Sequence, residues 1–242
     1  MRYIALGVTL LLASVAGASA QTSMMDVDIT AMDGHNLRGT YRSPGAPGPA
    51  MLLVHQCNMD RHSWDTLASH LVDAGIHVLT YDLRGFGESG PRPAGREANQ
   101  ASRANWPGDV DAAYAYLLDQ EGVDGSRVAV AGASCGVALA ADLAMRNPEI
   151  QAVVALSGPM SDEAKSHVMG TPALAVFGAA AENDDLVASA PAAVQAAVEA
   201  SSNPQSTLKM YAGTEHGIPM FEKNPDLEPA LVAWLRAELR GD

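Results

Sequence analysis

The sequence predicts an α/β domain with a mostly parallel central sheet that helices cover on both faces. Short, fully apolar segments alternate with helical segments along most of the chain, a pattern typical of parallel strands buried on both sides. The chain has 242 residues, 48% of them apolar, and 2 cysteines. A single domain of this size builds a sufficient core without disulfides or a structural metal. No internal repeat or domain linker interrupts the pattern.

The first twenty residues have the pattern of a secretory signal peptide. Arg2 is followed by an uncharged stretch over residues 4–20, which holds an apolar run over 4–15 and ends in small residues at Ala20. That run is shorter than the roughly 20 apolar residues that a membrane-spanning helix needs. We therefore expect cleavage after Ala20. The mature protein would be a single domain over residues 21–242, exported to the periplasm or the medium, with no membrane association.

The mature chain is predicted to open with an antiparallel hairpin, because residues 24–31 and 37–42 alternate around the turn dipeptide Asp33-Gly34. A Pro- and Gly-rich stretch over 43–49 ends it. Further strands are predicted over residues 50–55, 77–81, 127–131, 151–156, 173–177 and 206–211. Helices are predicted over residues 62–74, 107–118, 135–146, 188–200 and 227–239. The segment 158–171 is too short for a lid domain, and the polar span 90–106 is a candidate pocket wall.

The charge of the chain argues against several classes of partner. Lys and Arg number 15 against 28 Asp and Glu, a formal net charge of −13, which repels nucleic-acid phosphates and anionic membranes. Metal-binding motifs of the zinc-protease, paired-cysteine and EF-hand types are missing from the sequence. The glycines over 85–90 have dinucleotide-site spacing, but prolines follow them instead of a helix. We expect no cofactor and no metal; the partner is a small-molecule substrate, and the oligomeric state stays open.

One motif points to chemistry. Gly132-Ala133-Ser134-Cys135-Gly136 has the pattern G-x-S-x-G and lies between a predicted strand and a predicted helix. This is the setting of a nucleophile elbow, a tight turn that exposes a serine above the sheet at the positive end of a helix. The flanking glycines avoid the collisions that larger side chains would make in such a turn. Ser134 is therefore the candidate nucleophile.

A serine nucleophile needs a base to take its proton. Of the seven histidines, His216 is the best candidate, because its loop follows the last predicted strand and precedes the last predicted helix. A base in that loop faces the carboxyl ends of the strands. The other histidines fit surface, turn or structural positions.

With these motifs in order, the chain resembles the α/β-hydrolase superfamily, in its compact dienelactone-hydrolase-like and serine esterase branch. The resemblance covers nearly all of the mature chain and implies an α/β-hydrolase fold with a triad in the order serine, acid, histidine. The matching stretches are residues 52–55 (LLVH), 81–89 (YDLRGFGES), the elbow at 132–136, 157–159 (SGP) and 215–217 (EHG).

The acid of the triad is the open member. In the family the acid follows a strand ending in Gly by about three residues, but Gly178 is followed by three alanines. The remaining candidates are Glu182, Asp184 and Asp185. Asp184 is favoured because its distance to the next apolar residues resembles that of the family.

The resemblance also implies an oxyanion hole made by two backbone amides. One is the N–H of Cys135, directly after the nucleophile, and the other is the N–H of Cys57, in a loop where the family often has Gly and this chain has Gln56. Because export exposes cysteines to oxidising conditions, we hypothesise a Cys57–Cys135 disulfide between these loops. The alternative is a pair of buried free thiols.

The function expected from this set is hydrolysis of small soluble carboxylic esters through an acyl-enzyme, because no lid covers the site. A peptidase, a thioesterase or a lactone hydrolase would use the same residues. A non-catalytic binding protein on the same fold is the contrasting class.

Overall fold

A computed structural model describes residues 21–240, so the predicted signal peptide lies outside the described residues. Its eight strands form one sheet in the order β1-β2-β4-β3-β5-β6-β7-β8. The strands are β1 Ser23–Thr30, β2 Asn36–Ser43, β3 Gly48–Val54, β4 His77–Tyr81, β5 Val123–Ala133, β6 Ile150–Leu156, β7 Ala175–Ala181 and β8 Thr207–Tyr211.

The sheet joins an antiparallel hairpin to a parallel core. Strands β1 and β2 pair antiparallel, β2 continues antiparallel onto β4, and every later pairing is parallel. Side chains alternate along the central strands, so that Leu52 and Leu53 are both fully buried but belong to different cores. The predicted α/β-hydrolase fold class, with its opening hairpin and mostly parallel sheet, is confirmed.

Helices cover both faces of this sheet. Their bounds are α1 Asp65–Asp73, α2 Arg96–Arg103, α3 Trp106–Leu118, α4 Cys135–Arg146, α5 Asp162–Gly170, α6 Ala190–Glu199, α7 Met220–Lys223 and α8 Leu227–Glu238. Val110 of α3 and Val137 of α4 pack in the core with Leu52, whereas Leu67 of α1 and Leu231 of α8 pack in the other core. None of the helices within residues 21–240 is long and apolar enough to cross a membrane.

Among the helices, the largest differences from the sequence prediction concern three short helices and the start of α1. The short helices α2, α5 and α7 lie in segments predicted to be loops, and a 3-10 turn, Arg61–Trp64, precedes α1 where a single helix was predicted over 62–74. Helix α2 has no buried residue and α5 buries two, Ala164 and Val168, so neither carries an apolar periodicity that a sequence could display. The segment 158–171 therefore holds one nine-residue helix and no larger insertion.

Strand β7 lies further along the chain than predicted. Residues 173–177 were expected, but the strand covers Ala175–Ala181, and all seven of its residues are buried. Alanine and glycine are poor strand formers, so the pattern of residues 178–181 does not indicate a strand. Pairing with β6 and β8 nevertheless carries the strand to Ala181, and the loop that holds the acid candidates begins at Glu182.

Candidate active site

Ser134 lies in a strained turn between β5 and α4. Its backbone angles are φ 53° and ψ −119°, in a region that residues with a side chain rarely adopt. A Cβ atom at Gly132 would overlap the carbonyl oxygen of Gly136, and one at Gly136 would lie 2.5 Å from the carbonyl oxygen of Val54. The turn thus requires both glycines, as the elbow motif predicts. The amide of Ser134 donates to the carbonyl of Leu156 (2.8 Å), which fixes the turn to the end of β6.

His216 and Asp184 form a buried pair. Nδ1 of His216 lies 2.7 Å from Oδ2 of Asp184, and the two side chains are 4% and 0% exposed. The other carboxylate oxygen, Oδ1, accepts the amides of Leu186 (3.1 Å) and Val187 (2.8 Å). Because Oδ1 is occupied by two backbone donors, Oδ2 is held towards the imidazole. With Nδ1–H donating to that carboxylate, Nε2 is left as an acceptor.

The two other acid candidates do not make this contact. Glu182 and Asp185 are exposed, while Asp184 is buried. Their backbone amides donate to the carbonyls of Tyr211 (2.8 Å) and Thr214 (3.1 Å), so both residues tie the acid loop to the chain that leads to His216. Since β7 ends at Ala181, Asp184 follows its strand by three residues, and the displaced spacing suggested by Gly178 is an artefact of ending the strand too early.

His216 Nε2 is buried and has no hydrogen-bond partner within residues 21–240. A buried nitrogen without a partner is unusual, since such groups are nearly always paired. The loop of His216 packs close to the elbow, because a Cβ atom built at Gly217 would lie 3.7 Å from Cβ of Ala133, the residue before Ser134. The hydroxyl of Ser134 and the imidazole of His216 are not hydrogen bonded to each other in this structure. Such catalytic hydrogen bonds are often long or absent before substrate binds.

Cys57 and Cys135 are joined by a disulfide, with their Cα atoms 5.9 Å apart. The hypothesised bridge is therefore present, and the alternative of two free thiols is wrong for this structure. It ties the loop after β3 to the first residue of α4. Within the described part of the chain, the N–H groups of both cysteines lack a hydrogen-bond acceptor. They remain available to an external acceptor at the positive end of α4.

The peptide between Gln56 and Cys57 is held by His55, a residue whose part in the site the sequence reasoning missed. The amide of Leu83 donates to Nε2 of His55 (2.9 Å), so Nδ1 carries the proton and donates it to the carbonyl of Gln56 (2.8 Å). Burial lowers the pKa of His55, which favours this neutral form. The amide of Met59 donates to the same carbonyl (3.1 Å).

The side chain of Gln56 connects two loops. Its Oε1 accepts the amide of Ile218 (3.0 Å), two residues after His216, and its Nε2 donates to Oδ1 of Asn58 (2.7 Å). Gln56 is 1% exposed, so this amide is buried with both ends paired. A Cβ atom at Gly217 would overlap Oε1 of Gln56, and Gly217 has φ 67°, so this position needs glycine on two counts.

A groove of about 520 Å³ lies beside these loops. Met59 and Ile218, which follow Cys57 and His216 by two residues each, form part of its apolar wall, and Phe221 extends that wall. Glu222 and Glu228 are the charged residues that line it. The lining is therefore mostly apolar and carries two carboxylates.

The family model described as "Serine aminopeptidase, S33" matches residues 45–181. An uncharacterized protein of Mycobacterium tuberculosis is 34% identical over 142 residues, which are 58% of this chain and 47% of that protein. The chain thus spans about half the length of the curated relatives from that organism that it matches.

Solved structures share the fold. An esterase of Pyrococcus furiosus matches with a TM-score of 0.71 and 17% identity, over 99% of this chain and 100% of that one. A cold-adapted esterase from an Arctic intertidal metagenomic library matches with a TM-score of 0.70 and 19% identity, over 90% and 95% of the two chains. At these identities the likeness concerns the fold.

Proposed function

We propose that this chain, which belongs to the serine aminopeptidase family of α/β-hydrolases, is a serine hydrolase that cleaves small soluble carboxylic esters. The observation that carries the proposal is the buried His216–Asp184 pair, whose free Nε2 lies in a loop packed against the elbow of Ser134. A fixed imidazole close to a half-buried serine in a strained turn is the arrangement that activates a hydroxyl for attack.

In the proposed reaction, Oγ of Ser134 attacks the ester carbonyl while Nε2 of His216 takes its proton. Asp184 holds the imidazole in the required tautomer and stabilises its cationic form. The N–H groups of Cys57 and Cys135 bind the negative oxygen of the tetrahedral intermediate. As the intermediate collapses, the imidazolium gives its proton to the leaving alcohol. Water then attacks the acyl-enzyme by the same route and releases the acid.

The preference for small esters is supported by what borders the site. The segment 158–171, where a lid would stand, holds the single nine-residue helix α5, which favours a site that a substrate reaches without a lid movement. The groove beside Met59 and Ile218 is apolar and carries two carboxylates. An uncharged acyl or alkoxy group fits such a groove better than an anionic one, which the carboxylates repel.

We propose that the protein works outside the cytoplasm. Residues 1–20 have the pattern of an export signal. The Cys57–Cys135 disulfide supports the same compartment, because such bonds persist in oxidising surroundings. Fractionation of cells that express the full chain, with the N-terminal residue of the exported form sequenced, tests this: Gln21 is the expected start, and an uncleaved cytoplasmic protein would contradict it.

Covalent labelling tests the nucleophile. A fluorophosphonate probe is expected to modify Ser134 in the purified protein, and Ser134→Ala should abolish both labelling and hydrolysis of p-nitrophenyl acetate. Ser166→Ala is the matched control, because that hydroxyl lies on α5 and donates to the backbone of Asp162 (2.8 Å). An unlabelled protein, or full activity in Ser134→Ala, would show that the proposal is wrong.

A substrate panel tests the bond that is cleaved. Short-chain p-nitrophenyl esters are expected to react faster than a long-chain ester and faster than an aminoacyl anilide. If the anilide is the best substrate, the protein is a peptidase acting through the same residues. A thioester and a lactone complete the panel, since the residues of the site do not discriminate among acyl donors.

A further inference from the structure

We propose that Gln56 is a positioning residue that sets the distance between the proposed oxyanion donor and the proposed base. The inference rests on the proposed function and deepens it. It concerns a buried glutamine in the loop where the family often has glycine. The peptide that follows Gln56 presents the N–H of Cys57.

The backbone of Gln56 fixes the direction of that N–H. Peptide bonds are planar, and those of residues 21–240 are all trans, so the N–H of Cys57 points opposite to the carbonyl of Gln56. Two donors, Nδ1 of His55 (2.8 Å) and the amide of Met59 (3.1 Å), hold this carbonyl from its own side. These two hydrogen bonds hold the peptide plane between Gln56 and Cys57, with the N–H of Cys57 directed away from the two donors.

The side chain of Gln56 fixes where that plane stands relative to His216. Its Oε1 accepts the amide of Ile218 (3.0 Å), so the loop after β3 is fastened to the loop after β8 within two residues of the base. Asn58 accepts from Nε2 (2.7 Å), which keeps the oxygen of the amide towards Ile218. Glycine at position 56 would provide neither contact. The disulfide fastens the same loop to the elbow, so the three loops are held at two points.

This arrangement predicts a loss in turnover rather than in substrate binding. The oxyanion contact is made fully in the transition state, so a displaced N–H lowers kcat more than it raises KM. A shift of about 1 Å in such a group costs on the order of 10²-fold in rate. Gln56→Met keeps the length of the side chain but neither accepts from Ile218 nor donates to Asn58. We expect it to lower kcat about 10- to 100-fold with KM within about threefold.

Gln56→Glu separates a positioning role from a structural one. A carboxylate still accepts the amide of Ile218, and Asn58 can rotate its amide to donate to the other oxygen. This variant therefore keeps the contact to Ile218 that Gln56→Met removes. If Gln56 acts by positioning, Gln56→Glu should recover most of the kcat that Gln56→Met loses, at an unchanged KM. A kcat as low as that of Gln56→Met would contradict the positioning role.

The experiment measures kcat and KM for p-nitrophenyl acetate in the disulfide-bonded protein. The matched control is Gln120→Met, which removes a glutamine contact to the carbonyl of Tyr116 (2.8 Å) and should leave both constants unchanged. If Gln56→Met does not fold, Asn58→Ala decides the matter. Position 58 is exposed and tolerates alanine. Without Asn58, the side-chain amide of Gln56 loses the contact that orients it, which should lower kcat about threefold or more at constant KM.

The outcomes distinguish this inference from the proposed function. Loss of activity in Ser134→Ala together with a kcat within twofold of wild type in Gln56→Met would overturn the role of Gln56 and leave the serine hydrolase standing. Full activity in Ser134→Ala would overturn the proposed function itself. An effect of Gln56→Met on KM alone would also overturn the positioning role, since it would assign Gln56 to substrate binding.

Discussion

Removal of the Cys57–Cys135 disulfide should destabilise the protein by several kcal/mol. The two cysteines are 78 residues apart in the chain, and the bond closes that loop in the unfolded state as well as in the folded one. For a closed loop of about this length the chain-entropy relation gives about 4.5 kcal/mol at 25 °C. Since a domain of this kind is stable by about 5–15 kcal/mol, the double variant Cys57→Ala, Cys135→Ala should still fold but with little margin.

Urea unfolding followed by tryptophan fluorescence measures this loss. Wild type under oxidising conditions is compared with the double variant, and both are then measured with a phosphine reductant present. Reduced wild type should match the variant, because the crosslink rather than the packing of the sulfur atoms provides the stability. A loss below about 1 kcal/mol would refute the entropic reasoning for this loop. A variant less stable than reduced wild type would assign the effect to packing.

Three further results are expected. Asp184→Asn should lower kcat about 10⁴-fold without unfolding the protein. The two backbone donors that bind Oδ1 would hold the amide oxygen of the asparagine in that place and turn its NH₂ group towards His216, so that Nδ1 accepts and the proton moves to Nε2. Steady-state kinetics measure this, and a loss under tenfold would contradict it. Gly217→Ala should lower both thermal stability and kcat, since it combines φ 67° with an overlap on Gln56, and a melting temperature equal to wild type would contradict the geometry. Burial lowers the pKa of His77, so on acidification this histidine is protonated at a higher pH in the unfolded chain than in the folded protein, and stability should fall as pH drops below about 6.5. The melting temperature of His77→Gln should therefore fall less than that of wild type between pH 7 and 5. An equal fall in the two proteins would contradict this.

Several elements with a strong apolar pattern could be predicted from the sequence almost to the residue, although β5 extends four residues before and two after its predicted bounds. The predicted bounds of β4 and α4 are those observed, and β6 differs by one residue. Elements that bury little could not be predicted. Helix α2 buries no side chain, and α5 is held by its Ser161 cap, which accepts the amide of Ala164 (3.0 Å), rather than by an apolar stripe.

The candidate site was predictable where a motif fixes local geometry and unpredictable where distant loops meet. Ser134 follows from its flanking glycines, since the turn admits no larger residue at either position. The choice among Glu182, Asp184 and Asp185 depended on where β7 ends, and its alanines conceal that end. Of these three residues, Asp184 is the one that is buried and hydrogen bonded to His216.

The sequence by itself determined the α/β class, the elbow at Ser134 and the candidate base at His216, because apolar periodicity and steric limits on a tight turn act between residues that are near in the chain. The tertiary structure decided the partner of His216, the disulfide between residues 78 apart, and the contact of Gln56 with Ile218 across 162 positions. Such contacts depend on how strand ends align at one edge of the sheet. That alignment is a property of the whole fold, and no local pattern contains it.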